Sequence, residues 1–366
     1  MLASVSIVGC GNIGGPLCDL IGRLPAVGRL TLIDADSYTE ANLRGQAIGR
    51  AEIGMPKAVA MARRLRRIRP ELRIDAHHAA VEELPIGVLR SSVICACLDS
   101  RVSRMAVNTI AFRLGVPWID AGVLASEMLA RVDVFVPGDR SPCLECAFGE
   151  RHYATMEARH PCTGARSAAA PTNAPAFLGA LAASLQAAEC DRLLREAAAG
   201  APFSGAGVQT MVGLDARTLV TSRNRRNISC KFDHEVYSPQ CVPPRVSLKR
   251  LLGEPAADPP GAWISSPGQR FVEGAECARC GSAGPAFRRL GPGAAPVETC
   301  GRCGACAPLH PGRLHERISA AALSPTLQCR PPSALGLRPG DLFTISDSRG
   351  ARHYLLGSAT SAGGRG

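Results

Sequence analysis

From residue 4 to residue 34 the chain runs SVSIVG, then Gly9, Gly11 and Gly14 in G-x-G-x-x-G spacing, then GPLCDLIGRL, then LTLID. Short apolar runs bounded by glycine suit buried strands, and the apolar spacing of the middle stretch suits a helix. The order therefore reads as a strand, a tight turn, a helix and a second strand, the opening unit of a doubly wound α/β sheet. A turn without side chains lets phosphate oxygens approach backbone N–H groups at a helix N-terminus. The turn alone does not identify a nucleotide.

Asp34 closes the second apolar run, where a carboxylate can accept hydrogen bonds from ribose hydroxyls; NAD and ATP both carry these. The next residues separate the two. Asp36, Asn42, Arg44, Gln46 and Lys57 fall within one short span. Phosphoryl chemistry needs cations to neutralise charge on the transferred oxygens and a carboxylate for the accompanying metal ion. Lys57 stands out, because 42 basic residues less Lys57, Lys231 and Lys249 leave 39 arginines. That skew, with 38 Gly and 28 Pro, also explains the formal charge of +11 without a compact basic run interleaved with aromatics, so nucleic acid is not an expected partner.

At 366 residues the chain has room for two or three cores. The apolar start lacks a basic preceding region, and AFLGALAASLQAAECDRLL contains Gln186, Glu189 and Asp191. A cytoplasmic protein with no membrane span is the expectation. Its 16 cysteines, several in C-x-x-C pairs, then point to metal and not to disulfides.

Several ordered motifs together resemble the ThiF/MoeB/HesA family, prokaryotic relatives of ubiquitin-activating enzymes. They are the glycine turn, D-x-D at Asp34 and Asp36, N-L at Asn42, an Arg and Gln close behind, I-G-x-x-K-A with Lys57 as its lysine, and D-x-x-x-x-R at Asp99 and Arg104. The likeness extends through PCLECAF and LGALAASLQAAECDRLL. It implies an adenylyltransferase that uses ATP and Mg²⁺ on the C-terminal glycine carboxylate of a ubiquitin-like or sulfur-carrier protein. By the same resemblance Asp34 holds the ribose, Lys57 the phosphates and Asp99 the Mg²⁺. An arginine crossing into the partner's site implies a homodimer. The family spacing is N-L-x-R-Q, whereas this chain reads NLRGQ: either Arg44 serves from one position earlier or that contact is lost. Ala96 stands where many relatives carry an acid. Cys162 lies where some relatives carry a cysteine that receives the activated carboxylate or joins in sulfur transfer, and His160, Arg159 and Arg166 can favour a thiolate if they lie close in space; the alternative is a structural cysteine in an enzyme that stops at the adenylate.

The cysteines fall into two sets. Cys143 and Cys146 form one C-x-x-C, which relatives pair with a second; here Cys230 is followed by His234, which completes a Cys₃His zinc site, with Asp233 the competing ligand. Cys277, Cys280, Cys300 and Cys303 repeat the pair across a 19-residue spacer, a zinc-ribbon pattern in which Cys306 competes for one place.

The expected fold is thus a Rossmann-like doubly wound sheet with structural zinc, followed by a small zinc-ribbon and β region. The expected divisions are 1–238 for the adenylation domain, 239–272 for a linker with a short helix, 273–310 for the ribbon, and 311–366 for a β-hairpin and disordered tail. Two other functions compete: an NAD-dependent oxidoreductase, and a non-catalytic zinc-ribbon binding module on a Rossmann-like scaffold.

Overall fold

The computed structural model describes residues 2–157, 174–253, 261–274, 276–282, 287–290, 297–308 and 313–357. Two compact units emerge: residues 1–84 with 89–237, and 85–88 with 238–366.

In the first unit the strands are β1 (Ala3–Val8), β2 (Val27–Asp34), β3 (Arg73–His78), β4 (Val93–Ala96), β5 (Trp118–Leu124), β6 (Leu129–Phe135), β7 (Val208–Gly213) and β8 (Thr218–Arg223). The helices are α1 (Gly14–Gly22), α2 (Lys57–Ile68), α3 (Arg101–Leu114), α4 (Glu150–Glu157) and α5 (Ala176–Ala198). One sheet runs β3-β2-β1-β4-β5-β6-β7-β8. It is parallel from β3 to β5 and antiparallel from β5 to β8. This is a mixed α/β fold with a large, parallel-rich sheet.

Sequence dictates the division. Val5 to Val8 and all of β4 are buried, as central parallel strands covered on both faces require. Every residue of β8 is exposed, as an edge strand allows. Leu17 and Ile21 of α1 and Leu178, Ala182 and Leu193 of α5 close the core over Val5, Ile7, Leu30 and Ile119. Chain order reverses between β1 and β4, so the loops that follow these two strands part and leave a crevice at the C-terminal ends of the strands. No helix among the described residues is long and apolar enough to cross a membrane.

In the second unit lie β9 (Gln240–Val242), α6 (Leu248–Leu252), β10 (Trp263–Ser265), β11 (Arg270–Glu273), β12 (Phe287–Leu290), β13 (Val297–Thr299), β14 (Cys306–Pro308), β15 (Leu314–His315), β16 (Arg317–Ser319), α7 (Pro325–Gln328), β17 (Leu342–Asp347) and β18 (Gly350–Leu356). A five-stranded sheet runs β16-β10-β17-β18-β9, a second β12-β11-β15, and β13 pairs with β14. Leu248, Ile264, Phe271, Phe343, Ile345 and Tyr354 share one core.

The stretch 239–272, expected as a linker with a short helix, contains the helix α6 and also β9, β10 and the start of β11, with β10 inside the five-stranded sheet between β16 and β17. Strands of three residues show too little alternation to stand out among prolines and glycines. The tail at 358–366 lies outside the described residues.

Candidate functional site

A cleft of ≈ 1410 Å³ opens in the first unit at the crevice between β1 and β4, lined by the glycine turn, the loop after β2, Lys57 and the loop after β4. Each glycine of the turn has a different task. Gly9 has φ +91°, and a Cβ there would lie 2.4 Å from the Cys97 carbonyl oxygen. A Cβ at Gly14 would lie 1.8 Å from the Gly9 oxygen, so Gly14 serves the close packing of turn on helix, and it is not among the lining residues. Gly11 differs from both: its Cβ would meet only the Gln46 amide, at 3.7 Å or more. Backbone at Gly11 is therefore open to the cleft, beside the N-terminus of α1, where orphan N–H groups favour an anion.

Asp34 ends β2 and braces this turn. Its Oδ2 accepts from the Cys10 N–H (2.6 Å) and its Oδ1 from the Asp36 N–H (2.8 Å). Burial pushes its pKa above the ordinary carboxylate value, against the opposing pull of Lys57. Lys57 begins α2, and its Nζ donates to Asp36 Oδ2 at 2.8 Å. The backbone repeats the link, with the Lys57 N–H donating to the Asp36 carbonyl at 2.9 Å.

The loop from Glu40 to Arg44 forms a 3-10 turn tied by Asn42, whose Oδ1 accepts from the Thr39 N–H (2.8 Å) and hydroxyl (3.1 Å). Asn42, Arg44 and Gln46 all line the cleft, Arg44 being exposed. Asn12 was not singled out in the sequence. Its Nδ2 donates to the carbonyls of Gly45 (2.9 Å) and Ala174 (2.8 Å), pinning the loop at the position where the family pattern has its arginine. Oδ1 of Asn12 and Oε1 of Gln46 are buried without a partner among the described residues. Two acceptors in need of donors beside a turn open to anions fit a ligand that carries both phosphate and N–H or O–H groups.

Across the cleft, Asp99 follows β4, is exposed, and accepts no hydrogen bond from a described residue, so it is available to a cation. Cys97, two residues earlier, donates to Gln186 Oε1 at 3.1 Å, and burial raises its pKa. Arg104, known from the sequence only as part of a spacing, donates to Asp120 Oδ2 (2.7 Å) and to the Leu98 carbonyl. Asp120 has no exposed surface, and Arg131 donates to it as well (2.7 Å) and to Asp133. In register Asp120 of β5 stands directly beside Ala96 of β4. The acid absent at 96 is thus matched by one on the neighbouring strand, a relationship that linear sequence does not carry.

Away from the cleft, Cys143, Cys146, Cys230 and His234 converge. Cys143 Sγ lies 3.9 Å from Cys146 Sγ, 3.8 Å from Cys230 Sγ and 3.3 Å from His234 Nε2. Asp233 is excluded by its own partner, accepting from Arg113 of α3. Cys146 is held below the usual thiol pKa, chiefly by the hydrogen bond from Cys143, as a metal-binding thiolate needs. In the second unit, Cys277 lies 3.7 Å from Cys303 and Cys280 lies 3.6 Å from Cys300. The two knuckles are alike. Gly281 (φ +65°) donates to the Cys277 carbonyl, as Gly304 (φ +67°) does to that of Cys300. Cys306 is outside, exposed and 3.4 Å from the Thr299 hydroxyl. Both clusters can hold a metal ion, their ligand atoms lying within 4.8 Å of one another. Cys162 lies outside the described residues.

Known proteins resemble this chain in both sequence and fold. Ubiquitin-like modifier-activating enzyme 5 of Gallus gallus is 27% identical over 158 residues, and that of Rattus norvegicus 29% over 158 residues, each alignment covering 39% of this chain and 39% of the relative. The chain thus spans about two-fifths of the length of the curated relatives it matches. The microcin C7 biosynthetic enzyme MccB, solved in complex with N-formylated MccA, shares the fold, with a TM-score of 0.50 at 20% identity over 63% of this chain and 67% of that one. The ThiF family model matches residues 2–231, well over half of the sequence, and the chain belongs to the ThiF family.

Proposed function

We propose that the first unit binds ATP with Mg²⁺ and adenylates the C-terminal glycine carboxylate of a ubiquitin-like or sulfur-carrier protein. The observation that carries this reading is the pairing of Lys57 and Asp36 on one wall of the cleft with Asp99, which has no side-chain partner among the described residues, on the other. Membership of the ThiF family and kinship with enzymes named for activating a ubiquitin-like modifier support it.

ATP supplies the phosphoryl electrophile, and attack by the carrier's carboxylate oxygen on the α-phosphorus breaks the bond to pyrophosphate. The chain's own groups hold and orient the reactants. Backbone N–H groups of the turn around Gly9 and Gly11 cradle phosphate, with Gly14 keeping the turn tight. Lys57 exchanges Asp36 for phosphate oxygens, and the outer lone pairs of Asp34 receive ribose hydroxyls. Asn42 and Gln46 line the nucleotide's path, and Asp99 ligates Mg²⁺ through oxygen, the donor that ion prefers. Arg44 reaches the site of a second copy in a homodimer. Zinc fills both thiol clusters as a structural ion, in keeping with their N and S donors. A reducing cytoplasm suits such thiols.

Cys162 serves as the acceptor of the activated carboxylate in this reading: its thiolate displaces AMP to give a thioester. Cys162→Ser is then expected to abolish a reductant-sensitive adduct while leaving adenylation unchanged. The function is tested by exchange of labelled pyrophosphate into ATP, with a ubiquitin-fold protein ending in Gly-Gly as probe. Exchange that requires Mg²⁺ and the probe supports it; tight NAD binding without ATP binding overturns it.

A further inference from the structure

Asp99 has no side-chain partner among the described residues, so its position is inherited from its backbone neighbours. Ser100 on one side caps α3, its Oγ accepting from the Ser103 N–H at 3.4 Å. Leu98 on the other side is past the last paired residue of β4, and its carbonyl is held by one side chain. Arg104, on the first turns of α3, donates to it through Nε (3.0 Å) and again through Nη2. The same guanidinium reaches Ala121 O (3.3 Å) and is braced by Asp120, which Arg131 shares. Gly122 leaves room for this, since a Cβ there would come within 3.2 Å of Arg104 Nη2.

We propose that Arg104 is a positioning residue for Asp99, its forked hold on the Leu98 carbonyl setting the turn that presents the Asp99 carboxylate to Mg²⁺. The inference rests on the function proposed above. Arg104 also lines the cleft, but in this scheme it acts through one backbone carbonyl, and Asp120 acts through Arg104; weakened binding of metal-free ATP by an Arg104 variant would show direct contact with nucleotide and overturn the positioning role. A lysine at 104 can still face Asp120 but cannot fork onto Leu98, which separates orientation from mere charge.

The experiment compares the full-length protein with Arg104→Lys. Amide hydrogen exchange is read at residues 97–100 without nucleotide, and ATP binding is titrated calorimetrically with and without Mg²⁺. The variant is expected to exchange faster at 97–100, to bind metal-free ATP as the wild type does, and to need roughly 10- to 100-fold more Mg²⁺ for half its effect, the usual cost of losing a group that orients a metal ligand. Asp120→Asn, of the same shape, is expected to move both readouts in the same direction but less, and it serves if Arg104→Lys does not fold. Unchanged exchange and an unchanged Mg²⁺ requirement in the folded variants overturn the inference. A wild type that binds no ATP with Mg²⁺ overturns the proposed function instead, and the exchange arm still decides whether Arg104 sets the turn.

Discussion

Lys57 and Asp36 meet at 2.8 Å with very different exposure: the lysine side chain is 10% exposed and the carboxylate 69%. The cation is covered and directed, while its partner sits in water. An ion pair with one member so exposed contributes no more than about 1 kcal/mol, so an incoming phosphate can displace Asp36 at little cost. Lys57→Ala is expected to weaken ATP binding by about 10- to 100-fold, the range of a lost hydrogen bond to a charged group, with little change in thermal stability. Asp36→Asn frees the lysine and is expected to leave ATP binding equal or tighter. Calorimetric titration checks both.

The glycines of the turn separate folding from binding. Gly9→Ala drives a Cβ into the Cys97 carbonyl at positive φ, and is expected to destabilise by more than about 1 kcal/mol, read as a lowered unfolding midpoint. Gly11→Ala meets only the Gln46 amide and is expected to keep wild-type stability while weakening ATP binding. Equal loss of stability in the two variants would contradict this assignment.

Asp34 links the cleft to pH. Because burial raises its pKa in the folded state, the folded chain takes up a proton there at a higher pH than the unfolded chain does. As pH falls through the raised value, the stability contribution of this one group increases, since an ionised buried carboxylate is relieved. Binding is expected to move the opposite way, because the protonated group no longer accepts fully from Cys10 and Asp36. ATP affinity should therefore decline on acidification before an ordinary carboxylate titrates, and Asp34→Asn should flatten that part of the profile.

Metal analysis of the purified protein is expected to give two zinc ions per chain. His234→Ala should lose one and keep the other, Cys303→Ser should do the reverse, and Cys306→Ser should keep both. Loss of both ions from His234→Ala would show that the ligands are divided wrongly.

What could be read from the sequence was what depends on neighbours along the chain. The glycine turn, Asp34 at a strand end, and the C-x-x-C knuckles each occupy a few consecutive residues, and their local geometry follows from local chemistry. Choices between adjacent candidates needed the third dimension. Asp233 is removed from the metal cluster by Arg113, well over a hundred positions away in sequence, and Cys306 by the way its strand leaves the knuckle. The buried charges were hidden for a similar reason. Asp120 sits in WIDAGV, which reads as a strand, and only the pairing of Ala96 with Asp120 brings its carboxylate beside Arg104. In the second unit, strands of two to four residues gain their partners from sheet order rather than from any period of their own.

The most direct test of the central claim is calorimetric titration of the full-length protein with ATP and, separately, with NAD, both in the presence of Mg²⁺. The account predicts saturable, Mg²⁺-dependent ATP binding that Lys57→Ala weakens and that NAD does not compete away. Tight binding of NAD, with none of ATP, would contradict it.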